Sequence, residues 1–397
     1  MDVSIEKITD EIHLLRMDDD RVEHFEALWR IPEGITYNAY LMRVGNTTLL
    51  FDGWKKEYQD EFVDALSELV DPRDIDYIVV HHMEPDHSGT LRKILEENGY
   101  RATVLGHRMV GRLMKSFYGL DGAKFRAVED GEEIEIEDKR LRFTHVPWLH
   151  WPDSIFSYLD GVLFTCDAFG GYSIPKAIFD ESGVSDYLPF VRKYIVNIVG
   201  RYKEQIVKNI QKVVNSGITP KIILPSHGLL WKNPQKIINY YLDVANGVPE
   251  KGKVLVVYSS MYGFVEEAAN TAIKELERQG YKPKVLKFTD KAQDNFSDII
   301  SEAADSEAIV LGTATYEMDV FPLMRYVVGL LIEKANYDKP VLILSSYGWG
   351  GAAVKVLREM FSGSSFRVVD SIEFRGEAQE EKIREGVKNL LGALDVA

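Results

Sequence analysis

The sequence predicts two α/β domains in succession: a layered sandwich with helices outside, then a doubly wound parallel sheet. Three observations predict this. Short β-branched runs dominate the first half, and strand and helix patterns alternate regularly beyond residue 250. Between the two lies a Gly/Pro-punctuated stretch, Asn246-Gly247-Val248-Pro249-Glu250-Lys251-Gly252, of the linker kind. At 397 residues the chain also has the length of two domains of ~100–200 residues each. The expected boundaries are 1–250 and 251–397.

In the first domain, Tyr40–Val44, Thr47–Phe51, Tyr77–His81, Ala102–Leu105, Leu141–Val146 and Gly161–Thr165 read as short strands. Gln59–Leu69 and Leu91–Asn98 carry helical patterns, and one long helical stretch is expected from about Tyr187 to Asn215. Lys221–Leu224 is a further buried strand, and a helix starts at Gln235. In the second domain, Lys253–Tyr258 is a strand and Val265–Gln279 a helix; Lys284–Phe288, Ala308–Leu311 and Val341–Leu344 are strands, each followed by a helical segment. Ligands of such sheets sit outside the carboxyl ends of the strands, and the Gly/Ser/Thr-rich loops all lie at such ends. No low-complexity tract or internal repeat is evident.

Composition excludes several classes. Hydrophobic residues make up 45% and charged residues 27%, as in ordinary globular proteins. No segment approaches the ~18 apolar residues of a membrane span, and the acidic N-terminus lacks the basic flank and apolar core of a signal peptide, so a soluble, cytoplasmic chain is expected. The net charge of −15 argues against a nucleic-acid partner. The single cysteine, Cys166, rules out an intrachain disulfide and a built-in iron–sulfur or rubredoxin-type site.

The chemistry concentrates around residue 82. His82-Met83-Glu84-Pro85-Asp86-His87 places four potential metal ligands within six residues, directly after the apolar run Ile75 to Val80. Imidazoles with carboxylates form a hard-to-borderline set, suited to iron, manganese or zinc. Three further strand-end groups complete it: His150 in Trp148-Leu149-His150-Trp151-Pro152-Asp153, Asp167 after its strand, and His227 in Pro225-Ser226-His227-Gly228. Four histidines and three carboxylates suffice for two metals sharing one bridging carboxylate. Asp167 is the natural bridge, because the remaining ligands then divide evenly. A lone histidine at a strand end is more often structural than a ligand; seven ligand types in this order are hard to explain as solvated loops.

On these motifs, H-x-E-x-D-H, LHWPD, CDAFG and PSHG, the chain resembles the flavodiiron proteins (A-type flavoproteins), along essentially its whole length. The resemblance implies a metallo-β-lactamase-like αββα sandwich followed by a flavodoxin-like doubly wound sheet. It implies that His82, Glu84 and His150 hold one iron, that Asp86, His87 and His227 hold the other, and that Asp167 bridges. Some members lack the histidine at position 87; this chain keeps it. Hydrolytic relatives on the same scaffold carry H-x-H-x-D-H. Glu84 in place of the second histidine adds a hard anionic oxygen that favours iron over zinc. His24 and Tyr194 match positions lining the diiron pocket in the family, and ordinary packing explains them equally well. Strand alternation turns His81 and His145 away as structural or supporting groups, and makes Cys166 a buried inert thiol facing away from the bridge. Trp148 and Trp151 are expected to wall the pocket.

In the second domain, Tyr258-Ser259-Ser260-Met261-Tyr262-Gly263-Phe264-Val265 joins the first strand to a helix, a place where free N–H groups meet phosphate. It lacks the GK[ST] ending of a P-loop, and no G-x-G-x-x-G fingerprint for NAD occurs. The segment resembles the FMN-phosphate loop of flavodoxins, with Ser260, Met261, Tyr262, Gly263, Phe264 and Val265 in the cradle. Tyr262 and Val265 stand where Thr is common, so backbone amides would carry more of the phosphate binding. Two further strand-end loops supply Thr313, Ala314, Thr315 and Tyr316, then Ser346, Tyr347, Gly348, Trp349 and Gly350. Tyr316 and Trp349 are the candidate ring contacts.

Together the resemblance implies an oxidoreductase with FMN and two irons that reduces O2 to water, NO to N2O, or both. An iron pair and a reduced flavin together hold the four electrons that O2 requires and more than the two required by a pair of NO. The chain ends after the flavodoxin-like part with no rubredoxin module, so the donor is expected to be external: a small rubredoxin or a reduced deazaflavin cofactor. A head-to-tail homodimer, or a dimer of such dimers, is implied. The rivals are a dinuclear zinc hydrolase with a regulatory flavodoxin domain, and a plain electron carrier with a vestigial metal site.

Overall fold

The computed structural model describes residues 2–181 and 184–394. The chain forms two compact units, one of Met1–Tyr194 with Tyr202–Leu242, the other of Ile195–Arg201 with Asp243–Ala397.

The first unit is built on two sheets. Seven strands lie side by side in chain order: Asp2–Lys7, Ile12–Asp19, Ile35–Val44, Thr47–Phe51, Tyr77–Val80, Thr103–Gly106 and Lys124–Ala127. The first three junctions are antiparallel and the last three parallel. The second sheet orders Glu133–Ile136, Lys139–His145, Ile155–Leu159, Val162–Cys166 and Ile222–Pro225, with only the last pair parallel. Phe51 of one sheet stacks on Phe164 of the other at 4.0 Å between ring centres, in a core shared with Leu14, Val79, Leu105, Phe143 and Leu224. Burial of each such side chain contributes about 1.5–3 kcal/mol. The sandwich therefore forms as expected, with more strands than the sequence displayed. Asp2–Lys7 is an edge strand with little buried surface, which leaves no apolar alternation to read.

The long helix expected from Tyr187 to Asn215 is broken. A helix Val184–Tyr194 passes into a π-turn, Ile195–Val199, and a 3-10 turn, Gly200–Tyr202, before the helix Lys203–Asn215 resumes. Ile195 through Val199 are all buried, Asn197 included, so the segment carries no face preference that could reveal the break. Gly200 packs against the backbone carbonyl of Lys334, where any Cβ would collide.

The second unit has five parallel strands in the spatial order second, first, third, fourth, fifth: Lys282–Thr289, Lys253–Ser259, Ala308–Tyr316, Pro340–Ser346 and Arg367–Phe374. Ala292–Gln293 adds an antiparallel edge and Asp319–Val320 folds back on Ala308–Tyr316. The order reverses between the strands starting at Lys253 and Ala308, which marks the switch point where ligands of such sheets bind. Among the described residues, no helix is long and apolar enough to cross a membrane.

Candidate metal centre and cofactor cleft

Three parallel strand ends and one hairpin loop deliver the ligand-type side chains. After Tyr77–Val80 the chain turns through one helical turn, Pro85–Ser88, whose His87 and Ser88 amides donate to the Glu84 carbonyl. Ser88 Oγ also donates to the Glu84 carbonyl at 2.9 Å, and Asp153 accepts from the Met83 amide at 3.0 Å. That turn aims Glu84, Asp86 and His87 at one point. Asp167 follows Val162–Cys166, His227 follows Ile222–Pro225, and His150 comes from the loop between Lys139–His145 and Ile155–Leu159.

All seven side chains converge, and all are buried. Oδ2 of Asp167 lies 3.0 Å from His82 Nε2 and 2.9 Å from His150 Nε2, and Glu84 Oε2 is 2.7 Å from the same His150 nitrogen. Oδ1 of Asp167 lies 2.7 Å from His87 Nε2 and 3.2 Å from His227 Nε2, with Asp86 Oδ2 at 3.4 and 3.5 Å from those two nitrogens. One carboxylate thus faces a separate group of three on each of its oxygens. Both Asp86 oxygens, Asp167 Oδ2, His150 Nε2 and His227 Nε2 are buried without a hydrogen-bond partner. Groups this close and this buried that do not bond one another fit cations between them: ligand atoms ~2.1 Å from a shared ion stand ~3 Å apart at right angles.

The electrostatics agree. Burial alone would lower the His150 and His227 pKa values, but the facing carboxylates push them up to about 10 and about 9. Burial would raise Asp167, and the imidazoles of His87 and His82 instead hold it well below the usual carboxylate range. Not every far ring nitrogen is anchored, since His87 Nδ1 is buried without a hydrogen-bond partner. His227 Nδ1 donates to the Thr36 carbonyl at 2.6 Å, which leaves Nε2 as the lone pair facing the cluster.

His81 bonds Asp52 at 2.6 Å and Ser157 at 2.8 Å, and His145 bonds the Val128 carbonyl at 2.9 Å, so both are structural. Cys166 departs from expectation. Its φ is +50°, the strand alternation stops there, and its thiol lies 3.2 Å from His82 Nδ1 rather than facing away. Trp151 walls the cluster 5.8 Å from the His82 ring, whereas Trp148 is exposed and stacks on Tyr202. Tyr194 is fully buried with its ring 5.4 Å from His227 and its hydroxyl unpartnered. His24 is exposed on the two-residue strand His24–Phe25; alternation sends Phe25 inward, 6.0 Å from His227, in its place. Sequence reading missed Phe25 and also Tyr37, whose ring stands 5.5 Å from His227.

In the second unit the three loops line one cavity of about 430 Å3, with Met261, Tyr262, Phe264, Ala314, Thr315, Tyr316, Ser346, Tyr347, Gly348 and Trp349 in its wall. Gly263, at φ +92°, opens the helix Phe264–Arg278, and Ser260 Oγ accepts from the Gly263 and Glu266 amides. A helix start of this kind suits a phosphate. Glu266 is drawn off by Tyr258 at 2.9 Å and Lys287 at 3.1 Å. Thr315 Oγ1 accepts from the Ala352 and Ala353 amides, which fixes the middle loop. Val265 and Thr313 are buried beneath the loops, so their side chains do not line the cavity. Gly350 does not line it either; a Cβ added there would meet the Met318 sulfur at 3.3 Å. Tyr262 and Trp349 are 83% and 85% exposed at the mouth, where planar rings can cover a planar ligand. Glu317, Arg375 and Gly376 also line it and were not foreseen; the strand before Arg375 carries too little alternation to be read.

Residues 35–228 match the ODP family beta lactamase model and residues 256–389 the flavodoxin model. The fold is similar to that of a flavo di-iron protein variant from Thermotoga maritima, at a TM-score of 0.95, 44% identity and 99% coverage of each chain. The rubredoxin-oxygen oxidoreductase of Megalodesulfovibrio gigas is 30% identical over 370 residues, 91% of this chain and 90% of that one. The nitric oxide reductase of Moorella thermoacetica is 29% identical over 367 residues, again 91% and 90% of the two chains.

Proposed function

The chain belongs to the flavodiiron proteins, and on that premise we propose that it reduces O2 to water, NO to N2O, or both, with electrons from an external donor. It is an oxidoreductase whose cofactors are FMN and two irons. His82, Glu84 and His150 would hold one iron, Asp86, His87 and His227 the other, and Asp167 would bridge them. The observation that carries this reading is the division of the cluster about Asp167, each oxygen facing its own group of three. When bound, the irons would supply redox chemistry at the substrate pocket and FMN a two-electron store for it.

The protein's part is to build and shield the pocket. Phe25, Tyr37 and Trp151 put apolar faces around the imidazoles. The Tyr194 hydroxyl is kept protonated by burial and by the nearby charges of Asp167, Asp86 and Glu84. A buried O–H with no protein acceptor is available to donate to a small oxygen- or nitrogen-containing substrate. In the other unit, Tyr316 and Trp349 would cover the flavin ring, and the loop at Ser260 would hold its phosphate.

A small rubredoxin or a reduced deazaflavin cofactor is the donor this reading supports. A head-to-tail homodimer, flavin of one copy against the irons of the other, would also cover the exposed Tyr262 and Trp349. Glu84 and the family set aside the zinc hydrolase.

The test is direct. Purified protein should contain iron and FMN, and rates with O2 and with NO, compared under one chemically reduced donor, assign the substrate. Asp167→Ala should abolish turnover and leave flavin absorbance intact. Zinc without iron, or turnover retained by Asp167→Ala, would overturn the assignment.

A further inference from the structure

From the flavin cavity we infer that Arg375 tunes the cofactor, binding the reduced flavin more tightly than the oxidised form. The inference rests on the FMN reading above. Among the described residues, Arg375 and Glu317 are the charged ones in the cavity wall. Arg375 leaves the carboxyl end of the fifth parallel strand, Arg367–Phe374, and the Tyr347 amide bonds the Phe374 carbonyl at 3.0 Å. The arginine is thereby tied to the loop that holds Trp349.

Its guanidinium is positioned rather than loose. It lies 5.2 Å from the centre of the Tyr347 ring and donates to the Trp349 carbonyl at 3.4 Å. Other arginines of this unit hold carboxylates and form a contrast: Arg201 on Glu333, Arg278 on Glu275, Arg325 on Asp319, Arg367 on Asp338 and Arg384 on Glu380. Among the described residues Arg375 has no carboxylate partner. No direct ion pair therefore neutralises its charge on the wall of a cavity suited to a flavin, although the Glu317 carboxylate shares that wall.

The chemical consequence concerns one cofactor in two states. Oxidised flavin is neutral at its ring. Two electrons and one proton give the anionic hydroquinone, with negative charge at the pyrimidine end. A fixed cation favours that charged product over the neutral reactant, so the midpoint potential rises, and charge near the ring is a recognised protein lever on flavin electronics. Arginine keeps its charge at any working pH, so the bias persists.

The experiment uses the full chain loaded with FMN. Midpoint potentials are measured by spectroelectrochemistry for wild type, Arg375→Lys, Arg375→Gln and Arg375→Glu, together with FMN dissociation constants in the oxidised and reduced states. Arg375→Gln should weaken binding of reduced FMN about tenfold relative to oxidised, equal to a fall of about 30 mV for two electrons. Arg375→Lys should restore most of the potential, and Arg375→Glu should lower it further. Equal potentials across the series, with FMN bound stoichiometrically, would overturn the inference. Failure of the wild-type chain to bind FMN would overturn the underlying cofactor reading instead.

Discussion

Cys166 Sγ lies 3.2 Å from Nδ1 of His82, while Nε2 of the same ring faces Asp167 at 3.0 Å. The sole thiol of the chain thus sits behind a ligand-type imidazole, and Ser226 Oγ donates to the sulfur at 3.4 Å. With Nε2 turned to the metal pocket, the Nδ1 proton points at sulfur, and burial keeps the thiol protonated. Removing such a support costs about 10- to 100-fold in metal affinity. Cys166→Ala should therefore release iron to a chelator faster by that order, and Cys166→Ser should recover most of the loss. Identical release rates in all three proteins would show that the contact is only packing.

Tyr194 can be tested apart from its packing. Tyr194→Phe removes an O–H that has no partner and keeps the ring beside His227. Deleting an unsatisfied buried hydroxyl leaves stability unchanged or raises it by up to about 1 kcal/mol. Turnover should nevertheless fall about tenfold or more. A full rate in a folded, iron-replete variant would assign Tyr194 to the core alone.

Metal-stripped protein should show a distinctive pH dependence. His150 and His227 have pKa values raised to about 10 and about 9 by the facing carboxylates, from an ordinary value of 6.5. Their stabilisation is fully present below 6.5 and is lost as pH rises through 9 to 10. Asp167 and Glu84 are depressed, so their contribution is present above the ordinary carboxylate range and lost as pH falls below it. Urea midpoints of the stripped protein should therefore peak between about pH 5 and 6.5. Metal uptake must displace the histidine protons, so affinity for iron should rise with pH across the window where stripped protein weakens. Parallel urea profiles for stripped and loaded protein would contradict this.

Gly228 supports its neighbour His227 by lacking a side chain. Its φ is +73°, and a Cβ there would collide with the Tyr187 hydroxyl, which itself donates to the Gly171 carbonyl at 3.2 Å. Gly228→Ala combines backbone strain of about 1–3 kcal/mol with displacement of that ring. It should lower the melting temperature and loosen iron at the His227 side. An unchanged melting curve would refute the packing account.

The candidate metal centre was legible because its ligand-type side chains are polar residues at strand ends, where ordinary folding has little use for them. His82, Glu84, Asp86 and His87 announce themselves within six residues, and the fold carries His150, Asp167 and His227 to them. What could not be read was the backbone that departs from regular periods. Alternation predicted Cys166 to face away, and its positive φ reverses that. Alternation across a two-residue strand sends Phe25 inward and His24 outward, a choice with no periodic signal behind it. Tyr37 looks like any apolar strand residue until the sheet places it beside His227. Arg375 follows a strand of half-buried residues that gives no period-two signal.

The short stretch Ile195–Arg201 carries a practical consequence for anyone wishing to dissect the chain. It clusters with the flavodoxin-like unit although it is encoded within the other, and there Gly200 meets Lys334 while Arg201 reaches Glu333 at 3.4 Å. A fragment beginning at residue 251 would leave those seven residues behind, and with them a buried strip packed against the helices Phe296–Ala304 and Pro322–Lys334. The flavin half is thus not a detachable cassette. A transplant that supplies this missing patch should express better than one that begins at the apparent linker.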